Sequence, residues 1–412
     1  MPDSAEVVIV GGGIVGCATA YYLAKAGVRV VVCEKGRVAG EQSSRNWGFV
    51  RQQRRDPAEL PLMIESNRLW AGLEAELGAD IEWRQGGNIA LADNEDRLAR
   101  FAAWAEVSQA HQLETRLVGP AEVAALIPGM KVDCAGALHT PSDGQADPEK
   151  ATVAFRTAAE RLGATVRDNC AVEGIERAGG RITGVMTEAG PILASTVVCA
   201  AGAWSSRLLR ALGITLPTIW MRASVARTTP VPPITGAGVW SRVAFRQRRD
   251  GGLNIASGLE GDHDLTPQTL RHGVRFLPRL REERAEGRSV IMHLGRPFLD
   301  DLRGTSAYRR QRVLDPAPSG RLIAGALAGL KNAFPGLGDV RVVESWAGYI
   351  DMTPDQLPVI DRLDRPEGLV LASGFSGHGF GMGPIAGRLT AELVKDGRAS
   401  MDIAALRFDR FR

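Results

Sequence analysis

Three glycines near the start of the chain stand at a spacing that suits a diphosphate. In the run Gly11-Gly12-Gly13-Ile14-Val15-Gly16, Gly11 would permit a tight turn and Gly13 would let a pyrophosphate approach the backbone. Gly16 would let the helix opened by Ile14 and Val15 pack closely on the preceding strand. The positive end of that helix then faces the phosphates. Glu34, with Lys35 beside it, follows Gly16 at close to the roughly 20-residue interval at which an acid accepts hydrogen bonds from ribose hydroxyls. An acid there repels a 2′-phosphate and disfavours NADP.

These residues can act together only if regular elements hold them. Val7 to Val10 is a short β-branched apolar run that stops at Gly11, the pattern from Ile14 to Ala26 is helical and closes at Gly27, and Val28 to Val32 reads as a second buried strand. The strand, turn, helix, strand context makes a dinucleotide site of what would otherwise be a glycine-rich turn, without choosing between NAD and FAD. Downstream, Asp147-Pro148-Glu149 reads as a helix start leading into Ala151 to Leu162, and Thr165 to Arg167 as a strand returning to the same sheet. Val172 to Ile175, Ile182 to Met186 and Ile192 to Val198 read as a strand meander with Ala178-Gly179-Gly180 as a turn.

Three further segments narrow the choice of dinucleotide. Ser43-Ser44-Arg45-Asn46-Trp47-Gly48 follows the second strand, Val197 to Trp204 (VVCAAGAW) is a buried strand ending in small residues, and Gly374 to Phe380 (GFSGHGF) precedes the last helical segment. With "WAGYIDMTPDQLPVID" from Trp346 to Asp361, and in this order, they resemble the D-amino-acid oxidase superfamily, in its glycine oxidase, sarcosine oxidase and D-amino-acid dehydrogenase branch. The resemblance spans nearly the whole chain and implies an α/β fold: a Rossmann-type, glutathione-reductase-like FAD-binding lobe and a second α+β substrate lobe on a mainly antiparallel sheet. The FAD lobe is expected to be discontinuous, from 1–83, 142–216 and 342–412, with the substrate lobe from 84–141 and 217–341. FAD contacts are implied for Ser43, Ser44, Arg45, Asn46, Val172, Ala200, Gly202 and Trp204, and for the turn Gly377, His378, Gly379, Phe380 and Gly381.

The same resemblance implies oxidation of an amine or amino acid, with oxygen or another acceptor regenerating the flavin. The cofactor supplies the reactivity while the protein orients the substrate. An arginine downstream of the serine-rich turn holds the substrate carboxylate in that branch, and Arg51 lies near that place; pairing with Asp56 or a flavin phosphate is the alternative, and Arg45 and Arg54 are rivals. Several family positions differ. Ile350 stands where glycine-oxidase-like members carry an arginine, followed by Asp351, which either attracts a cationic or hydroxylated group or caps a turn; Tyr349 beside it is a pocket candidate. Asn254 replaces a lysine over the flavin, leaving oxygen reactivity open, and Gly381 replaces a carboxylate-binding lysine. His378 is expected to hydrogen-bond flavin or to cap backbone. With no histidine near Ser43 to Gly48 and no cysteine after Cys199, FAD is expected to be non-covalent. The leading expectation is oxidation of an N-substituted glycine or D-amino acid to an imine; the alternatives are a dehydrogenase with a non-oxygen acceptor and a flavin-bearing electron-relay subunit.

Composition excludes other classes. Over 412 residues, 44% are hydrophobic and 24% charged, the balance of a globular protein large enough for two lobes. A net charge of only +3, with bases scattered among acids, disfavours nucleic acid; the run Arg246 to Arg249 is expected to be a solvated face. Five cysteines form no CxxC pair and the histidines no metal-like spacing, so no metal is expected. No basic leader or membrane-length apolar run is evident, and the expectation is a cytoplasmic protein.

Overall fold

The strand pattern resolves into two large sheets in a computed structural model that describes residues 3–131, 133–294 and 310–411. The first sheet has six strands in the order Val359–Arg362, Leu369–Ser373, Thr196–Cys199, Val7–Val10, Val30–Cys33 and Thr165–Arg167. All neighbours run parallel except the first pair. Its apolar runs are continuous because both faces are covered, as a parallel sheet requires. Val7, Ile9, Val30, Val32 and Val198 face one core with the helices Ile14–Lys25, Leu60–Leu77, Pro148–Arg161 and Gly379–Lys395. Val8, Val10, Val31, Cys33, Val197 and Cys199 face another core beneath the four-stranded sheet that holds Val172–Ala178, Arg181–Thr187 and Gly190–Leu193. This is a Rossmann-type lobe, with Asp147 capping the helix Pro148–Arg161 by accepting from Lys150 N.

The second sheet has ten strands, mostly antiparallel, with the helix Gly320–Ala333 packed on it. The long strand Ile219–Thr228 is its spine, paired with Val342–Met352 along nearly its whole length. Two expectations change here. The run Ile192 to Val198 is two strands, because the chain leaves the meander after Leu193 and enters the six-stranded sheet at Thr196. Val342–Met352, expected in the FAD lobe, belongs to the large sheet and delivers its last residues to the space between the two sheets.

The run Arg246 to Arg249 is not a solvated face. Every residue of the strand Val243–Gln247 is buried, and the Arg246 guanidinium donates to the carbonyl of Trp47, its pKa lowered by burial to about 10. Arg249 is exposed and pairs with Asp80 at 2.6 Å. Among the described residues, no helix is long and apolar enough to cross a membrane.

Candidate active site

A cleft runs from the C-terminal ends of the parallel strands toward the large sheet. Gly11 (φ +110°) and Gly16 shape its start: a Cβ on Gly11 would collide with the carbonyl oxygen of Ala200, and one on Gly16 with that of Gly11 itself. Gly13 faces the cleft, where a Cβ would meet only Ser43 Oγ at 3.1 Å. The helix Ile14–Lys25 takes no side-chain cap from its N-cap residue, Gly13, and has no acid in its first turn, which leaves its positive end suited to an anion. Ser43 Oγ accepts from Ile14 N at 2.8 Å. The Glu34 carboxylate accepts from Gly12 N and Gly36 N, both at 2.8 Å; burial raises its pKa and those two bonds oppose the rise. Lys35 pairs with Glu41, donates to the carbonyl of Gln311 at 2.9 Å and lies 4.6 Å from the Trp204 ring centroid.

Gly11, Gly13, Glu34, Lys35, Ser43, Val172, Ala200, Gly202 and Trp204 line this part. Gly13, Gln42, Ser43, Ala200 and Gly202 also border a cavity of about 710 Å³, so the path is continuous. An extended dinucleotide fits this donor set: an acid at one end for a ribose, a glycine turn and the positive end of a helix for the diphosphate, and a wide chamber beyond. Ile14, Val15, Arg45, Asn46, Arg51, Tyr349, Asp351, Gly377, His378, Gly379 and Phe380 line the chamber. Gly16, Ser44, Asn254 and Gly381 stand outside both walls. Gly381 is in helix, its carbonyl accepting from Ser66 Oγ at 2.6 Å and Trp70 Nε1 at 2.8 Å. Asn254 is buried in the sheet opposite Arg246.

The chamber's polar groups differ in how far they are already engaged. Asp351 is buried and accepts from Gln42 Nε2 at 2.8 Å and Gly374 N at 2.9 Å. It therefore ties the turn after the second strand to the glycine turn, and burial raises its pKa. Tyr349 donates to Asp264 at 2.6 Å. Arg45 pairs with Asp315 at 3.1 Å and Arg54 with Glu286 at 3.3 Å. Arg51 differs: among the described residues no carboxylate pairs with it. One of its Nη atoms donates to Gln53 O at 3.1 Å and its guanidinium lies 4.9 Å from the Trp240 ring centroid. Burial, then Arg55 and Arg54, lower its pKa, with Asp143 opposing, as expected of a buried cation beside like charges. Asp56 caps its own turn, accepting from Ala58 N at 2.8 Å, so the expected alternative partner of Arg51 is engaged elsewhere.

Sequence reading missed several residues that the fold brings here. Trp47, Phe49 and Trp240 form an aromatic wall, with Trp47 4.8 Å from Trp240 and 5.7 Å from Phe49 between centroids. Glu59, fully buried at the start of the helix Leu60–Leu77, contacts His378 Nδ1 at 2.8 Å. Arg55 lies 3.9 Å from the same carboxylate. The spacing of Arg55 and Glu59, one helical turn apart, was a weak local signal; nothing local links Glu59 to His378 or Trp47 to Trp240.

The model of the FAD dependent oxidoreductase family matches residues 6–393. Mouse (Mus musculus) mitochondrial sarcosine dehydrogenase is 26% identical over 100% of this chain but only 42% of its own length; the chain thus spans less than half of that relative. The sarcosine oxidase subunit beta of Rhizobium meliloti is 27% identical over 98% of this chain and 88% of its own. Among solved structures, the L-amino acid deaminase of Proteus vulgaris superposes with a TM-score of 0.93 at 27% identity, covering 100% of this chain and 98% of that one.

Proposed function

Because the chain belongs to the family of FAD-dependent oxidoreductases that act on amines and amino acids, we propose that it oxidises the C–N bond of an amino acid or N-substituted glycine to an imine, which water hydrolyses. FAD, when bound, supplies the two-electron acceptor for the hydride that leaves the carbon bearing nitrogen. The residues of Gly11 to Gly16, Glu34 and Ser43 would hold it, without a covalent tether. The observation that carries the substrate reading is Arg51. A partly buried guanidinium that pairs with no carboxylate among the described residues presents a planar fork of donors, which matches a substrate carboxylate. The Trp47, Phe49 and Trp240 wall beside it suits an apolar N-substituent or side chain and excludes water from the reacting bond.

The substrate class is tested by anaerobic bleaching of the flavin spectrum with glycine, sarcosine, longer N-carboxymethyl amines, and D- and L-amino acids. Reduction by a carboxylated amine, and not by the matching decarboxylated amine at equal concentration, is the expected outcome. Failure of every amino acid to bleach the flavin would overturn the reading and favour an electron-relay subunit. A non-oxygen acceptor is the second reading, since Asn254, at the position where the resemblance expects a lysine over the flavin, is an uncharged residue buried in the sheet outside the chamber wall; oxygen uptake with the substrate so identified separates the two.

A further inference from the structure

The substrate nitrogen of an amino acid arrives protonated, and its lone pair is needed before hydride can leave the adjacent carbon. A group that accepts that proton must face the chamber, be neutral at working pH and have its acceptor atom oriented. His378 meets these conditions on geometry. It closes the glycine turn and stands immediately before the helix Gly379–Lys395, on the chamber wall. Its Nδ1 contacts both oxygens of Glu59, at 2.8 and 3.1 Å. Because Glu59 is a carboxylate and accepts, Nδ1 carries the hydrogen, so the lone pair sits on Nε2.

We propose that His378 is the proton acceptor for the substrate ammonium, with Glu59 as its positioning residue; this rests on the amine-oxidation reading above. In the step, one N–H bond of the ammonium breaks and an Nε2–H bond forms. The electron pair of the broken bond stays on nitrogen, no electrons are exchanged with the cofactor, and the imidazolium is held by the Glu59 carboxylate until solvent removes the proton. The charged groups acting on the imidazole are Arg55, Glu59 and Arg51. Burial first, then Arg55, lower its pKa below the ordinary imidazole value, with Glu59 opposing, so it stays neutral near pH 7. Burial works against ionisation of Glu59, but the hydrogen bond from His378 Nδ1 and the charges of Arg55 and Arg51 outweigh it and hold its pKa below the ordinary carboxylate value.

The test is the pH dependence of anaerobic flavin bleaching at saturating substrate for the holoenzyme and its H378N and E59Q variants. Binding of a thioether carboxylate, which has no ammonium, is read separately from the flavin spectrum. In the wild type the rate should fall on acidification, as the imidazole protonates. H378N should slow bleaching near pH 7 by roughly 10²- to 10⁴-fold, the usual scale of general base catalysis, and recover as pH approaches the amine's own ionisation. It should bind the thioether acid as the wild type does. E59Q removes the charge that raises the imidazole pKa, so its acid limb should move to lower pH. An unchanged rate and profile in H378N, with the wild type still bleached, overturns this inference alone. Loss of the thioether acid together with the rate also overturns it, assigning the pair to fastening two helix ends. A wild type that no amino acid bleaches overturns the earlier reading instead.

Discussion

The two ends of the cleft are fixed by different parts of the chain. Around Gly11 to Gly16 and Glu34, position is set by main chain: carbonyl oxygens pressed on glycines, parallel strands in register, and a carboxylate bound to two backbone N–H groups. In the chamber, side chains also set side chains: Arg51 lies against Trp240, His378 against Glu59 and Asp351 against Gln42, with Gln53 O and Gly374 N as the main-chain contacts of Arg51 and Asp351. Backbone packing leaves few acceptable substitutions, whereas side-chain pairs can be exchanged one at a time on an unchanged frame. One end is suited to holding a constant ligand and the other to changing specificity.

The largest effect should come from breaking the first kind of contact. Gly16→Val drives side-chain carbon into the Gly11 carbonyl, which the strand below prevents from yielding. Overpacking of this kind costs about 1–3 kcal/mol, occasionally more. The purified variant should be colourless or flavin-poor, with a lowered Tm; full flavin content at the wild-type Tm would show that the glycine turn does not govern the cleft. At the other end, Arg51→Ala should leave flavin content intact and raise the concentration of carboxylated substrate that half-bleaches the flavin by about 10- to 150-fold, the equivalent of the roughly 1.5–3 kcal/mol of a charged hydrogen bond. Arg54→Ala, which removes a guanidinium already paired with Glu286, should change that concentration by less than about threefold on the same scale. A reversed order of the two arginines would move the carboxylate site.

This difference also explains what could be read from the sequence. The first βαβ unit was legible because strand, turn, helix and strand are consecutive and each glycine has a local steric task; the structure shows Ile14–Lys25 and Val30–Cys33 within a few residues of the pattern. Ile192 to Val198 was misread because both halves are apolar and β-branched, and the sequence does not mark the point at which the chain changes sheets. Arg246 was misread because a charge run is ordinarily solvated, and its burial depends on the Trp47 carbonyl about two hundred positions away. The chamber was legible only through resemblance, and only in part. Asn254 and Gly381 stand outside its walls, while Trp240, Phe49 and Glu59 reach the site by tertiary pairing that no local spacing encodes.

The smallest effect expected concerns how Arg51 is aimed. Asp143 is fully buried, and its carboxylate accepts from Gln52 N at 2.7 Å, Gln52 Nε2 at 3.1 Å and Gln53 N at 3.3 Å, fixing the loop that carries Arg51. Burial nevertheless pushes its pKa up to about 6, with these bonds and Arg51 opposing. Because the folded value exceeds the unfolded one, this residue's stabilising contribution is complete below about pH 3.9 and is lost as pH rises to about 6. Asp143→Asn does not ionise, keeps an acceptor for Gln52 and loses the weaker bond from Gln53. The variant should therefore be less stable than wild type at pH 4, and the deficit should shrink or vanish by pH 7, read from urea midpoints of both proteins at each pH. A deficit that stayed constant from pH 4 to pH 7 would mean that the Asp143 charge is already compensated in the fold, and that Arg51 has a counter-ion after all.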